Sequence, residues 1–392
     1  MIKFIHCSDL YLDEPFDLKS QLPDHIMQDV YRASFESFKN LVDDAIDMQV
    51  DFILISGNLF SDKNRNIRAD KFIEQQFERL NKAHIFVYII AGTEDNLSVK
   101  SYVKYPSNVV VFSEDVQSYE LITNNGQRVF IHGFSYKGYA TYENKLDNFP
   151  NNEVDNSIHI GMLHGIYHKI DGFTATEFSI EDLNRKLYHY WALGHYPYKK
   201  RLSDIPEIHY PGRMQGSKFS DTGHKGYLYV QGDYTELDVK FIPTEHIRFE
   251  RVSLTLNELG KHAIYQDITD FKNSIRHTGK CIYQLKLINP FETLIDPKMI
   301  QSVLRQVQMY ESNETQFVWI DEIELEQLQE VHTLASEFSS EHLENKLLFD
   351  RACVPIQQSS VERFANEMTF DLHQDLLNHG ESRLKVMMRD ES

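Results

Sequence analysis

Cysteine is scarce in this chain: three in 392 residues, Cys7, Cys281 and Cys353, far apart and without any Cys-x-x-Cys spacing. That excludes a zinc ribbon, a thioredoxin-like redox pair and a disulfide scaffold, and reads as three reduced thiols of a cytoplasmic protein. Positive charge is also short. Lys and Arg number 40 against 59 Asp and Glu, a formal charge of -19 with His neutral. Phosphate backbones are therefore repelled on average, and nucleic-acid contact requires a local basic groove. No stretch approaches the ~20 apolar residues that cross a bilayer. Met1-Ile-Lys-Phe-Ile-His6 has neither the basic segment nor the apolar run of a signal peptide. Internal repeats and low-complexity tracts are missing as well.

What remains is the composition of a folded globular protein, with 41% hydrophobic and 25% charged residues in a chain long enough for two or three domains. Short apolar runs at Ile2 to Cys7, Phe52 to Ile55 and Ile85 to Ile90 predict buried strands. Phe35, Phe38, Val42, Ala45 and Ile46 recur at helical spacing between the first two, and a second helix is expected from Ala69 to Leu80. Asn125-Gly126, between the runs Tyr119 to Ile122 and Val129 to Gly133, signals a hairpin. Further strands are expected at Ile158 to Leu163, Tyr190 to Leu193 and Tyr227 to Val230. Alternating strands and helices up to about Phe241 imply stacked α/β layers.

The pattern changes near Pro243. Strand-like runs at Phe249 to Leu254 and Cys281 to Ile288 and a helical segment from Pro297 to Val307 predict a smaller α+β unit over 246 to 325. From Glu324 onward Leu325, Leu328, Val331, Leu334 and Phe338 read as a helical stripe, and Ser359-Ser-Val-Glu362 as the capping box of a last helix bearing Val361, Phe364, Met368, Leu372 and Leu376.

Five candidate site segments follow strand-like runs: Ser8-Asp-Leu-Tyr11, Gly57-Asn58, Gly92-Thr-Glu-Asp95, Leu163-His164-Gly165 and Gly194-His-Tyr-Pro197. A buried strand ending in a polar loop delivers side chains rigidly to one sheet edge. Asp9, Asn58, Thr93, His164 and His195 are therefore expected to converge there. Carboxylate and imidazole suit a manganese or iron ion. Each segment alone has an ordinary structural reading, a turn or a hydrogen-bonded core histidine.

In order and spacing the five segments resemble the motifs of a calcineurin-like metallophosphoesterase: Asp-x-His, Gly-Asp, Gly-Asn-His-Asp/Glu, a lone His, and Gly-His-x-His. Asp9, His164 and His195 match ligands of that family, and Asp95 matches its acidic position. Tyr11, Asn58, Thr93, Glu94 and Pro197 depart from it. Glu94 stands where the family places its catalytic His. Pro197 offers a cation no lone pair, and Asn58 keeps the oxygen of a metal-bridging carboxylate without its charge. His209-Tyr-Pro-Gly-Arg213 and Asp221-Thr-Gly-His-Lys-Gly-Tyr are similar to segments of SbcD-type DNA-repair exonuclease subunits, nearest their YhaO-like branch.

The resemblance implies a metallophosphoesterase β-sandwich flanked by helices over 1 to 245, a capping domain over 246 to 325, and C-terminal helices over 326 to 392 that dock on an SMC-like coiled-coil (SbcC-type) ATPase. It implies a manganese-dependent exonuclease. The replaced positions make a degenerate subunit the expected reading, with Asp9, Asn58, His164 and His195 as a weak or vestigial metal shell, one manganese or iron ion or none, and no assigned catalytic residue. Two alternatives stand beside it: an active single-metal phosphodiesterase or DNA nuclease using Asp9, His164, His195 and the new carboxylate Glu94, and a protein-binding adaptor with no nucleic-acid role.

Overall fold

A computed structural model describes residues 1–123, 125–139, 145–152, 156–167, 175–291, 293–311 and 314–327. The stripes from Leu328 to Phe338 and from Val361 to Leu376 lie outside the described residues, as does Cys353. No helix among those described is long and apolar enough to cross a membrane.

The first layer is a six-stranded sheet built on β1 (Ile2–Cys7), β2 (Phe52–Ser56), β3 (Phe86–Ile90) and β4 (Val109–Val111), all parallel. The second contains β5 (Gln117–Ile122), β6 (Arg128–Gly133), β7 (Ile158–Tyr167), β8 (Thr176–Phe178), β9 (Tyr190–Gly194), β10 (Lys200–Asp204) and β11 (Glu207–Tyr210). Its main path runs β10-β11-β9-β7-β6-β5, with β8 on β7. The chain then returns to the first sheet through β12 (Gly226–Gly232), antiparallel to β1, and β13 (Leu237–Pro243). The Asn125-Gly126 hairpin forms as expected, joining β5 and β6; Gly126 supplies the left-handed residue at φ 76°.

Alternation along the strands assigns each face. Phe4, Phe52, Leu54 and Ile90 meet Val129, Ile131, Ile160, Met162 and Ala192 between the sheets. Their neighbours Ile5, Cys7, Ile53, Ile55, Val87 and Ile89 face outward onto Phe38, Leu41, Val42 and Ala45 of α1 (Asp24–Met48) and Ile73, Phe77 and Leu80 of α2 (Ile67–Lys82). Burying each such side chain contributes about 1.5–3 kcal/mol before chain entropy is subtracted. Toward the carboxyl ends of the strands this apolar filling gives way to polar ties between sheets: Ser56 Oγ donates to the Ala192 carbonyl at 3.0 Å, and His6 Nε2 meets the Leu193 carbonyl at 3.1 Å.

The smaller unit is a three-stranded parallel sheet, β14 (Arg248–Thr255), β15 (Cys281–Asn289) and β16 (Val318–Gln327), with α4 (Lys261–Ile275) and α5 (Pro297–Glu311) as its crossovers; the very short α3 (Ile180–Asn184) belongs to the first domain. Ile247, Phe249, Ile282, Phe317 and Trp319 pack on Ile26, Val30 and Ala33 of α1. Asp321 accepts from the Lys19 and Ser20 backbone N–H groups at 3.0 and 2.9 Å, which fastens the two units together. One expectation is corrected. Leu325 is not the start of a helix: it lies on β16, paired with Leu287. Ile323 and Leu325 both pack on the core, while Glu322, Glu324 and Glu326 alternate with them, a period of two that wins over the apparent helical one.

Candidate active site

All five segments do meet at one edge, at the carboxyl ends of β1, β2, β3 and β9, where open α/β sheets present ligand sites; His164 joins them from within β7, which runs on to Tyr167 instead of ending at the histidine. Asp9, Tyr11, Asn58 and His195 have left-handed backbones, at φ 52°, 42°, 55° and 96°. Asp, Asn and His adopt that region more readily than other non-glycine residues, and here three of them fall together with Tyr11 at one edge. The backbone is stitched across the loops: Asp9 N–H donates to the Gly57 carbonyl at 3.0 Å and Tyr11 N–H to the Asn58 carbonyl at 3.1 Å.

At the centre lies the Asn58 amide. Its Nδ2 is 2.8 Å from Asp9 Oδ1, 2.8 Å from the Tyr11 hydroxyl and 3.3 Å from His164 Nε2, while its Oδ1 accepts from Glu94 N–H at 3.1 Å. One nitrogen with two hydrogens thus faces three acceptors. His164 Nδ1–H donates to the Ser56 carbonyl at 2.9 Å, leaving the Nε2 lone pair for Asn58 and for His195 Nδ1, 3.2 Å away. Asp9 Oδ2 accepts from His195 N–H at 3.0 Å.

Burial decides the charge state. It lowers the pKa values of both His164 and His195 to about 4, so both imidazoles are neutral at pH 7. Burial pushes the Asp9 carboxyl up, against the opposing influences of the Ser8 hydroxyl, the neighbouring His195 and the Asn58 amide. Tyr11 is driven well above the usual phenol range by burial and by Asp9, which keeps it neutral.

The remaining candidates fall on the rim or serve the backbone. Asp95 ties two loops together, accepting from Gly92 N–H at 2.7 Å, Leu59 N–H at 2.7 Å and Asn58 N–H at 3.1 Å. Thr93 gives its carbonyl to the Asn96 amide at 2.9 Å. Glu94 is half-buried, its carboxyl raised by desolvation and by Asp62. The Pro197 carbonyl accepts from Arg213 N–H at 3.2 Å. Among the described residues no group of three or more His, Cys, Asp or Glu is arranged to hold a metal ion. With the lone pairs of Asp9, Tyr11 and His164 directed at an amide, the set as placed suits a hydrogen-bonded core better than a pair of dications, whose mutual repulsion calls for a bridging anion.

Reading the motifs alone missed the supporting shell. The Arg213 guanidinium lies 4.4 Å over the Tyr11 ring and pairs with Glu14 and, at 2.8 Å, with Asp221. It thereby joins the two segments singled out after the fifth motif. Gly194 was visible as a motif letter, but its reason is steric: a Cβ there would sit 1.7 Å from the Ser56 carbonyl oxygen. That close approach lets β9 bring His195 beside Asp9.

Residues 2–239 match the model of the calcineurin-like phosphoesterase family. The chain belongs to that family. It is 33% identical over 327 residues to the metallophosphoesterase YhaO of Bacillus subtilis, covering 81% of this chain and 80% of that protein. It is 25% identical over 296 residues to the DNA double-strand break repair protein Mre11 of Methanocaldococcus jannaschii, covering 71% and 73%. A solved dimetal phosphatase from Danio rerio aligns over 62% of this chain and 99% of its own at 11% identity and a TM-score of 0.38, too loose a likeness to argue from. The layered α/β architecture is the one the family match requires.

Proposed function

We propose that this calcineurin-like phosphoesterase is a DNA-repair, exonuclease-like subunit that places DNA beside an SMC-like coiled-coil ATPase in the cytoplasm, with its own two-metal hydrolysis impaired. The similarity to Mre11, named for double-strand break repair, supports the substrate class. The observation that carries the impairment is the Asn58 amide nitrogen lying against Asp9, Tyr11 and His164. A bridging position filled by a neutral donor leaves two dications without the anion that would hold them together. Glu94 adds repulsion for a phosphate at the rim. The ATPase is expected to dock on residues 326–392.

A second reading keeps hydrolysis with a single manganese or iron ion. It is favoured by Asp9 and two neutral imidazoles gathered around the Asn58 amide, with His164 Nε2 3.2 Å from His195 Nδ1. A manganese-supplemented assay on single- and double-stranded DNA separates the two readings. The wild type is expected to cleave at least ~10²-fold more slowly than a variant carrying Tyr11→His, Asn58→Asp, Thr93→Asn, Glu94→His and Pro197→His, the scale of losing one preorganised electrostatic group. Robust wild-type cleavage that disappears in Asp9→Ala overturns the first reading and establishes the second.

A further inference from the structure

The segment after His195 runs Tyr196-Pro-Tyr-Lys-Lys-Arg201, a basic and aromatic run in a chain of net charge -19. It spans the loop from β9 into β10 and the first two residues of β10, Lys200 and Arg201, directly beyond the residue whose N–H holds Asp9. Tyr196 and Tyr198 are 37% and 40% exposed although their rings touch, with centroids 5.8 Å apart. Lys200 Nζ lies 5.5 Å over the Tyr196 ring and Lys199 Nζ 4.4 Å over Phe241. Both ammonium groups therefore rest on rings and not on carboxylates among the described residues, unlike Arg201, which is paired with Asp204 and Glu207. Lys225, buried, lies 4.7 Å from the Tyr198 ring, and the Tyr198 hydroxyl donates to the Ser220 carbonyl.

The loop is braced from below. Gly212, at φ 81°, passes so close that a Cβ there would lie 2.7 Å from Lys199 N, and Arg213 N–H holds the Pro197 carbonyl. The Pro197 that supplies no metal ligand is thus part of a stiff turn that presents two tyrosines and two lysines beside the site.

We propose that Tyr196, Tyr198, Lys199 and Lys200 form a lip that binds single-stranded DNA at the edge of the phosphoesterase site. Exposed rings stack on the faces of unpaired bases, which a duplex conceals, and ammonium groups beside them meet the backbone phosphates. The acidic remainder of the surface confines the strand to this lip. The assignment deepens the DNA-placing reading and rests on it for the substrate class, but it does not depend on whether hydrolysis survives.

The test is fluorescence anisotropy of a labelled oligothymidylate and of a duplex of equal length, on the full chain in EDTA, so that cleavage cannot intervene. The single strand is expected to bind more tightly than the duplex. Tyr196→Ala with Tyr198→Ala is expected to weaken it about tenfold or more, the scale of removing stacking rings. Lys199→Ala with Lys200→Ala, both exposed and safe for folding, is expected to reduce the slope of log affinity against log salt by about 1.4, two contacts at about 0.7 each. Lys71→Ala with Lys82→Ala on α2 controls for net charge. Duplex bound as tightly as single strand, or a lysine pair no different from the α2 control, overturns the lip. Wild-type nuclease activity in manganese would overturn the impaired-hydrolysis reading while leaving these binding results standing.

Discussion

Asp9 and Glu311 are buried to the same degree, each 2% exposed, and the fold treats them in opposite ways. Glu311, at the end of α5, is met by Lys272 of α4 at 2.7 Å, by Arg276 at 2.7 Å and by Val318 N–H at 2.6 Å. Burial raises its pKa, but Arg276 and Lys272 outweigh burial and the carboxyl titrates below its usual range. Burial also pulls Lys272 down, which makes the second cation, Arg276, part of what keeps the group charged. Asp9 has no Lys or Arg partner among the described residues; it is held by an amide, a hydroxyl and a backbone N–H, and burial keeps its pKa raised. Glu311 is given cations. Asp9, left without them, lies among left-handed residues at the edge of the sheets.

The largest effects are expected at these two residues. Glu311→Ala leaves Lys272 buried without its partner and should cost about 3–5 kcal/mol, whereas Asp9→Asn should change stability by no more than about 1 kcal/mol, because it removes a charge that nothing neutralises. Denaturant midpoints measure both. Equal losses would break the contrast. Next comes Gly194→Ala, expected to cost about 3 kcal/mol by the same measurement because the added methyl meets a backbone carbonyl that cannot yield. A cost below 1 kcal/mol would mean that the β9 end is looser than described. Tyr11→Phe should cost about 1 kcal/mol, one acceptor lost from the Asn58 amide. An unchanged midpoint would remove Tyr11 from the network.

The smallest effect is a pH dependence. The folded pKa of Glu311 is depressed, so its contribution is fully present above the unfolded value of about 4.3 and is lost as pH falls through the folded value. Stability measured between neutral pH and about pH 3 should therefore fall less steeply on the acid side in Glu311→Gln than in the wild type. Parallel acid limbs would show that the cations do not set the Glu311 titration.

Those two carboxylates also mark how far sequence reading reached. The strands of the sandwich were legible because buried parallel strands are short apolar runs, and Ile2–Cys7 was delimited to the residue. Asp9, Asn58, His164 and His195 were legible because each follows such a run. Helix α4 was not, since Gly260 offers no side-chain cap and Ile264, Tyr265, Ile268 and Phe271 are β-branched or aromatic, favouring strand as readily as helix. The end of β16 is ambiguous in sequence because Leu325 fits both a two-residue and a helical repeat. The Arg213 bracket over Tyr11 and the Lys272–Glu311–Arg276 cluster were out of reach, because long-range pairing leaves no local pattern.

The Asn58 amide is proposed to occupy the place where a metal pair would need an anion. Manganese retained per chain after equilibrium dialysis, read together with the melting temperature in chelator and in manganese, tests it for the wild type and Asn58→Asp. The wild type should retain at most one ion and melt at nearly the same temperature in both buffers. Asn58→Asp should melt lower in chelator, with two carboxylates facing each other, and recover in manganese. Two tightly held ions on the wild-type chain would contradict the account.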